Sequence, residues 1–200
     1  MLVYYRILVR ILPVRDDVVL FESNVGRNFT GNPRAIYEEM VRRGLDRKYR
    51  CYIILEDTNV EIPGTAKKIK RNRFRYFYYF SIAGIWISDT RFPRYIIKRR
   101  DTVYIQTWHG TPLKRLALDM DAVYMSGESS LEEYKKNFYS NVMTWDYLVS
   151  QNRYSTEIFR RAFGFEKEIL EIGYPRNDIL FRKHDREEID RIKETLGLKK

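Results

Sequence analysis

Short apolar runs alternate with amphipathic helical patterns along this chain, and this alternation limits the possible folds more than any other feature. The strand-like runs are rich in β-branched and aromatic residues. They lie at Val18–Glu22, Tyr49–Leu55, Ala66–Lys70, Gly84–Ser88, Val103–Gln106, Trp145–Val149 and Glu168–Ile172. Because strands that alternate with helices are typical of parallel sheets, the sequence predicts an α/β fold with a parallel sheet flanked by helices.

Helix starts and stops can be predicted between these runs. Asn32 is predicted to cap a helix that has Pro33 at its first position and ends at Gly44. Ser130 and Glu133 are predicted to form a capping box at the start of a later helix.

Composition narrows the class of protein. A length of 200 residues with 44% hydrophobic residues is enough for one large globular domain. The single cysteine, Cys51, excludes an internal disulfide, and its place in an apolar run predicts a buried thiol. No cysteine or histidine cluster has the spacing of metal ligands, so no metal site is predicted.

The charge of the chain favours polyanionic partners. Lysine and arginine total 37 against 27 acidic residues, which gives a formal net charge of +10. Such an excess suits nucleic acid, an anionic membrane face or phosphate-rich substrates. No apolar stretch is long enough to span a bilayer. Residues 1–15 are apolar but interrupted by Arg6 and Arg10, which predicts an N-terminal amphipathic segment rather than a signal peptide.

One motif carries a candidate catalytic group. In Tyr104-Ile-Gln-Thr-Trp-His-Gly-Thr-Pro-Leu-Lys114, a strand runs directly into polar residues and a glycine turn. Thr111 is predicted to cap a helix with Pro112 at its first position. That layout would set His109 beside the exposed amides of a helix N-terminus, which favour an anion. A base beside a phosphate cradle is what a phosphoryl-type transferase needs.

A structural reading of His109 stays open on spacing alone, because a single histidine is often only a packed or hydrogen-bonded residue. The other histidine, His184, lies in the charged stretch Arg182-Lys-His-Asp-Arg186. It is predicted to lie at a solvated helix start, without a site role.

Polar loops follow several predicted strands, and the carboxyl ends of parallel strands meet at one edge of a sheet. Four such loops are Ser23–Gly31, Gln106–Thr111, Asn152–Ser155 and Gly173–Asp178. They bring basic side chains to the same edge, namely Arg27, Lys114, Arg115, Arg153 and Arg176. A positively charged binding edge is therefore predicted.

An ordered series of motifs resembles a known family. The series is Phe21-Glu-Ser, Asn32-Pro-Arg-Ala-Ile36, Gln106-Thr-Trp-His-Gly-Thr-Pro-Leu-Lys114, Trp145-Asp-Tyr-Leu148, Asn152 with Tyr154-Ser155, Ile158-Phe-Arg-Arg-Ala-Phe163 and Gly173-Tyr-Pro-Arg-Asn-Asp178. In this order the motifs resemble those of the CDP-glycerol glycerophosphotransferases of teichoic-acid and capsule synthesis. The resemblance runs from about residue 16 to the end of the chain.

The resemblance implies a GT-B type fold, in which two Rossmann-like halves face each other across a cleft. It also implies transfer of glycerol phosphate, or ribitol phosphate in close relatives, from a CDP-activated donor to a lipid-linked polyol-phosphate acceptor. The expected location is peripheral, at the cytoplasmic face of the cell membrane and against its anionic surface. No cofactor is expected, since CDP-glycerol is the donor substrate.

Site residues are also implied by the resemblance. His109 matches the active-site histidine of the family, which is proposed to take the proton from the acceptor hydroxyl. Further substrate-binding residues are expected at the same edge of the sheet. They are Ser23, Asn24, Trp108, Gly110, Thr111, Arg176 and Asn177.

The chain matches only the acceptor-side, N-terminal half of such a fold. We expect an amphipathic segment over residues 1–15, a Rossmann-like acceptor-side domain over 16–184 and a charged helix over 185–200 that leads to a missing second domain. Because that second half holds the CDP-binding residues in the family, the isolated chain is expected to bind CDP-glycerol poorly and to be inactive.

Two other functions fit the composition. A catalytically silent module could hold a membrane surface or a polyanion through its basic and aromatic segments. A nucleic-acid-binding domain would use the same charges and rings. The chain matches no nucleic-acid-binding motif and its charges are scattered, so no nucleic-acid partner is expected.

Overall fold

A computed structural model describes residues 1–123, 130–182 and 186–198. In these residues, strands form one sheet in which every neighbouring pair is parallel. The strands are β1 (Arg15–Glu22), β2 (Arg50–Leu55), β3 (Lys67–Lys70), β4 (Ala83–Ser88), β5 (Val103–Gln106), β6 (Tyr147–Ser150) and β7 (Glu168–Glu171). Their order is β3-β2-β1-β4-β5-β6-β7, so the direction of winding reverses between β1 and β4. This is the Rossmann-like order, and the predicted fold class is confirmed.

Helices cover both faces of the sheet. They are α1 (Leu2–Ile11), α2 (Gly31–Arg42), α3 (Phe74–Ile82), α4 (Leu131–Val142), α5 (Arg153–Phe163), α6 (Ile179–Arg182) and α7 (Arg186–Thr195). Because side chains alternate along a strand, Val18 and Leu20 of β1 enter one core and Val19 and Phe21 enter the other. Cys51 lies buried in the second core as predicted, and burial raises the pKa of its thiol to about 12.

The predicted strands are close to the observed ones, with differences at their ends. β1 begins earlier than expected, at Arg15, and β6 begins later, at Tyr147. Trp145 precedes β6, because its amide bonds back to the carbonyl of Val142 at the end of α4 at 3.0 Å. Its fully buried indole packs against Phe138 and Phe163. In the tail, α7 forms the expected charged helix. His184 and the expected boundary between residues 184 and 185 lie outside the described residues.

The N-terminal helix α1 is amphipathic and is anchored on one side. Tyr5 is fully buried, and its hydroxyl donates to the carbonyl oxygen of Ile97 at 3.2 Å and accepts from the amide of Ile97 at 3.0 Å. Its ring lies 5.4 Å from that of Phe77 in α3. The other side exposes Leu2, Val3, Ile7 and Ile11. Across the described ranges, none of the helices has the length and apolar character needed to cross a membrane.

Two predicted helix caps had different outcomes. Ser130 does cap α4, because its Oγ accepts a hydrogen bond from the amide of Glu133 at 3.1 Å. The prediction for Asn32 is wrong. Thr30 precedes the first residue of α2, and Asn32 lies inside the first turn with 1% of its surface exposed. Its side chain bonds to distant backbone groups instead of capping the helix.

The predicted helix that follows His109 is also wrong. Residues 110–116 are not helical, and a single 3-10 turn follows at Ala117–Asp119. A capping Thr111 would accept from a helix amide, but its hydroxyl donates to Oε1 of Gln151 at 2.9 Å. Leu113 is 80% exposed and is followed by the exposed Lys114 and Arg115, so few apolar side chains of this segment pack against the core to stabilise a helix. The predicted anion cradle at a helix N-terminus is therefore absent.

A buried carboxylic acid ends β1. Glu22 is fully buried, and its Oε2 lies 3.4 Å from Nε of Arg71. Oε1 has no hydrogen-bond partner among the residues that the structure describes. Burial outweighs the attraction of Arg71 and raises the pKa of Glu22 from its ordinary value of 4.5 to about 7.

We expect the stability of the chain to depend on pH through Glu22. The folded-state pKa lies above the unfolded-state value, so the stabilisation is present at low pH and is lost as the pH rises. Relative to the Glu22→Gln variant, the free energy of unfolding of the wild-type chain should fall between about pH 4.5 and pH 7. The fall should amount to about 3 kcal/mol, because one unit of pKa corresponds to about 1.4 kcal/mol. Urea denaturation of both proteins measures this difference, and parallel pH profiles would contradict it.

Candidate active site

The candidate site lies at the carboxyl ends of the strands, where the winding of the sheet reverses. Asn24 follows β1, Asp89 follows β4, His109 follows β5 and Arg176 follows β7. These four residues line one cleft of about 700 Å³. Open parallel sheets bind ligands at this place because the connections on either side of the reversal diverge and leave a crevice. The predicted gathering of polar loops at one edge is therefore confirmed for the three loops that hold Asn24, His109 and Arg176.

His109 is exposed, and a backbone carbonyl fixes its tautomer. Its Nδ1 lies 2.7 Å from the carbonyl oxygen of Asp89. A carbonyl oxygen can only accept, so Nδ1 carries the proton of the neutral ring and Nε2 keeps a lone pair. The ring stacks on the indole of Trp108, with centroids 4.5 Å apart and an interplanar angle of 22°. His109 can therefore act as a base through Nε2.

Trp108 anchors the loop that carries His109. Its φ of 52° lies in the left-handed region, which a bulky residue adopts rarely. The indole packs against Phe159 and Phe163 of α5, with ring centroids 5.9 Å and 4.7 Å away. Packing into the core holds this unusual backbone in place, and the backbone turns His109 outward.

Asp89 is a site residue that the sequence reasoning missed. Its side chain is 4% exposed, and its Oδ1 accepts a hydrogen bond from the amide of Asn24 at 2.9 Å. Burial raises the pKa of Asp89 above its ordinary value, against the opposing effects of the Asn24 hydrogen bond and the charge of His109. The sequence contains the signal for this position, because Asp89 directly follows the apolar strand run Gly84–Ser88. The predicted polar loops at this edge follow strand runs in the same way.

Asn32 joins two of the loops at this edge. Its Nδ2 donates to the carbonyl oxygens of Thr107 at 3.1 Å and Trp108 at 3.0 Å. Its Oδ1 accepts from the amide of Arg176 at 3.3 Å. One buried amide side chain thus ties the loop that follows β5 to the turn that follows β7.

Some predicted binding residues also form hydrogen bonds that shape the loops. Ser23 is fully buried, and its hydroxyl donates to the carbonyl of Asn28 at 2.8 Å and accepts from the amide of Thr30 at 3.0 Å. The carbonyl of Gly110 accepts from the hydroxyl of Tyr174 at 2.9 Å. Asn177 lines the cleft together with Asn24 and Arg176. The substrate contacts expected of the whole set, Ser23, Asn24, Trp108, Gly110, Thr111, Arg176 and Asn177, stay predictions.

A second cleft lies on the other side of His109. Its volume is about 610 Å³, and it shares Thr90 and His109 with the first cleft. We call the first one the polar cleft, since its lining includes Arg34, Glu38, Asp89 and Arg176. We call the second one the arginine cleft, since its lining includes Arg91, Phe92, Arg94, Trp108, Tyr134 and Phe138. Within the described ranges, no group of three or more potential metal ligands occurs.

The fold and the site define a Rossmann-like α/β domain that carries an exposed histidine at the edge formed by the carboxyl ends of its strands. The chain belongs to the CDP-Glycerol:Poly(glycerophosphate) glycerophosphotransferase family, whose model matches residues 3–200. The family resemblance inferred from the motifs is therefore confirmed.

Curated relatives are longer proteins of the same family. The chain is 43% identical over 195 residues to a teichoic acid poly(glycerol phosphate) polymerase of Bacillus spizizenii, covering 96% of this chain and 49% of the relative. It is 48% identical over 187 residues to the polymerase of the same name from Staphylococcus epidermidis, covering 92% of this chain and 26% of the relative. The chain thus spans between about a quarter and a half of the length of these relatives.

Solved structures of the wall teichoic acid polymerase TagF share the fold. One, a variant soaked with CDPG, superposes with a TM-score of 0.91 at 43% identity and covers 98% of this chain and 48% of that chain. Another, of TagF without a stated substitution or soak, gives a TM-score of 0.88 at 45% identity and covers 94% of this chain and 46% of that chain. The described sheet and helices therefore correspond to about half of such a polymerase.

The tautomer of His109 can be measured directly, because the chain contains only two histidines, His109 and His184. We expect neutral His109 to carry its proton on Nδ1, since the carbonyl of Asp89 accepts from that nitrogen. Long-range proton–nitrogen correlation NMR of the neutral ring reports the protonated nitrogen, and the His184→Gln variant assigns the signals. A proton on Nε2 in the neutral ring would contradict the geometry.

We expect the Asn32→Ala variant to loosen the His109 loop, because the carbonyls of Thr107 and Trp108 lose their donor. The free energy of unfolding should fall by about 1–3 kcal/mol. Amide hydrogen exchange should become faster over residues 107–110. Asn59→Ala, at an exposed position, is the matched control and should change neither quantity. Equal stability of the two variants would show that the three hydrogen bonds of Asn32 contribute little.

Proposed function

We propose that this chain is the acceptor-side half of a GT-B type CDP-glycerol glycerophosphotransferase and that His109 is its general base. The observation that carries the proposal is the 2.7 Å contact between Nδ1 of the exposed His109 and the carbonyl oxygen of Asp89, at the reversal point of the sheet. Membership of the family supports the reaction class. The coverage of about half of a polymerase supports a division into two halves, with CDP-glycerol bound mainly by the other half.

In the proposed step, the acceptor hydroxyl oxygen attacks the β-phosphorus of CDP-glycerol while its proton moves to Nε2 of His109. A new oxygen–phosphorus bond forms, and the bond from the β-phosphorus to the bridging oxygen breaks. CMP leaves with the bonding electron pair. The imidazolium that forms lies near the carboxylate of Asp89, whose pKa the charge of His109 lowers. That attraction stabilises the charged ring as the proton arrives.

The proposed reaction changes no oxidation state, so it requires no redox cofactor. CDP-glycerol supplies the activated phosphate, and a lipid-linked polyol phosphate supplies the hydroxyl. The exposed apolar side of α1, together with the exposed Arg6 and Arg10, supports a peripheral site on an anionic membrane surface. We propose the cytoplasmic face, where the nucleotide-activated donor is available.

The alternative is a catalytically silent, membrane-surface module that binds polyanions. It is favoured by the formal net charge of +10 and by the apolar side that α1 exposes, because both suit an anionic membrane surface. A reconstitution assay separates the two functions.

We expect transfer from labelled CDP-glycerol to a lipid acceptor only when the chain is combined with a donor-side half, such as the unmatched part of the Bacillus spizizenii relative. His109→Ala should lower the rate roughly 100- to 10,000-fold, the usual contribution of general base catalysis. His184→Ala is the control and should keep the rate. Both variants should still bind anionic liposomes.

Two outcomes would overturn parts of the proposal. Full transfer by His109→Ala would remove this residue from the mechanism. Liposome binding without transfer, even with the donor-side half present, would favour the silent module.

A further inference from the structure

The arginine cleft has a net positive lining. Arg91 and Arg94 contribute guanidinium groups, and among the residues that the structure describes the lining contains neither aspartate nor glutamate. In the described parts of the chain, neither guanidinium forms an ion pair with a carboxylate. Both side chains are exposed. Their charges are therefore available to an anionic ligand.

The polar cleft differs in this respect. Arg34 bonds to Oε1 of Glu38 at 2.7 Å. Arg176 shares the cleft with the carboxylate of Asp89, and its charge lowers the pKa of that group. The cations of the polar cleft are thus balanced by acids, and a phosphate gains more from the arginine cleft.

Three aromatic rings of the arginine cleft pack against other side chains of this chain. The guanidinium of Arg91 lies over the ring of Phe138 at 4.6 Å, which holds this cation in place. Trp108 carries the imidazole of His109 on its face. Phe92 stacks on Tyr104, with centroids 5.0 Å apart. Because these rings pack on partners within the chain, they suit a small polyol phosphate better than a nucleobase that needs a free ring face.

We propose that the arginine cleft binds a phosphodiester of the acceptor chain, through Arg91 and Arg94, beside the hydroxyl that His109 deprotonates. The inference rests on the proposed function and adds the recognition of the acceptor to it. His109 lines this cleft, so an anion held there places the adjoining polyol at the base. The other source of phosphate chemistry is the pyrophosphate of the donor, which the test must distinguish.

Binding is measured with a short synthetic glycerol phosphate oligomer by calorimetry and tryptophan fluorescence. Trp86 and Trp145 are 1% and 0% exposed, so a fluorescence change on binding reports Trp108 in the arginine cleft. Trp108→Phe should remove that optical signal. CDP-glycerol tests for binding of the donor pyrophosphate, and inorganic phosphate tests for binding of any free phosphate.

We expect Arg91→Gln and Arg94→Gln each to weaken oligomer binding roughly tenfold, the effect of losing one charge-assisted hydrogen bond. Arg34→Gln removes the same charge from the polar cleft and should change the affinity less than about twofold. Arg91→Lys keeps the charge and should restore part of the affinity. Circular dichroism checks that each variant is folded.

Equal losses of oligomer affinity in Arg34→Gln and in the two arginine-cleft variants would overturn the proposal, because the affinity would then depend only on net charge. Binding of CDP-glycerol or inorganic phosphate as tight as that of the oligomer would overturn it too. Failure of this subsite can be distinguished from failure of His109 as the base. If transfer depends on His109 while Arg91→Gln and Arg94→Gln bind the oligomer normally, the subsite is wrong and the proposed function stands.

Discussion

The hydrogen bond from Nδ1 of His109 to the carbonyl oxygen of Asp89 decides what this site can do. Neutral imidazole has two tautomers, and only the one with a protonated Nδ1 leaves Nε2 able to accept a proton. A backbone carbonyl has no proton to give, so this bond selects the basic Nε2 without a charged partner. The chemistry of the ring therefore follows from the path of the backbone after β4.

That path is held by buried groups on several sides. The amide of Asn24 bonds to the carboxylate of Asp89, and Asn32 bonds to the two carbonyls that precede His109. Trp108 adds apolar packing against α5. Because each polar group is satisfied by another member, displacing one leaves a buried partner unpaired. The exposed His109 thus lies on a loop that buried hydrogen bonds and apolar packing hold in place.

The sequence predicted the sheet well because buried parallel strands are nearly continuous apolar runs, which a local pattern reveals. The place of His109 at the edge followed from its position directly after such a run. The roles of Thr111 and Asn32 could not be predicted in the same way. Both stand in typical helix-start sequences, but their side chains bond to groups far along the chain, at separations of 40 residues for Thr111 and 75 to 144 residues for Asn32. Asp89 directly follows the strand run Gly84–Ser88, so its place at the same edge was predictable from the sequence.

In the proposed reaction, the two clefts beside His109 stabilise opposite charges. Asp89 in the polar cleft attracts the imidazolium, and Arg91 and Arg94 in the arginine cleft attract the acceptor phosphate. Water around an exposed ring screens the attraction between the imidazolium and Asp89, and a covering half that excludes this water would strengthen it. The tautomer needs no such cover, because the bond to the carbonyl of Asp89 lies within this chain. In the proposed enzyme, this half supplies a base in the correct tautomer and an unbalanced pair of arginines, and the other half supplies the donor and the exclusion of water. Proton transfer to His109 then requires both halves, because the base lies in this half and the exclusion of water comes from the other.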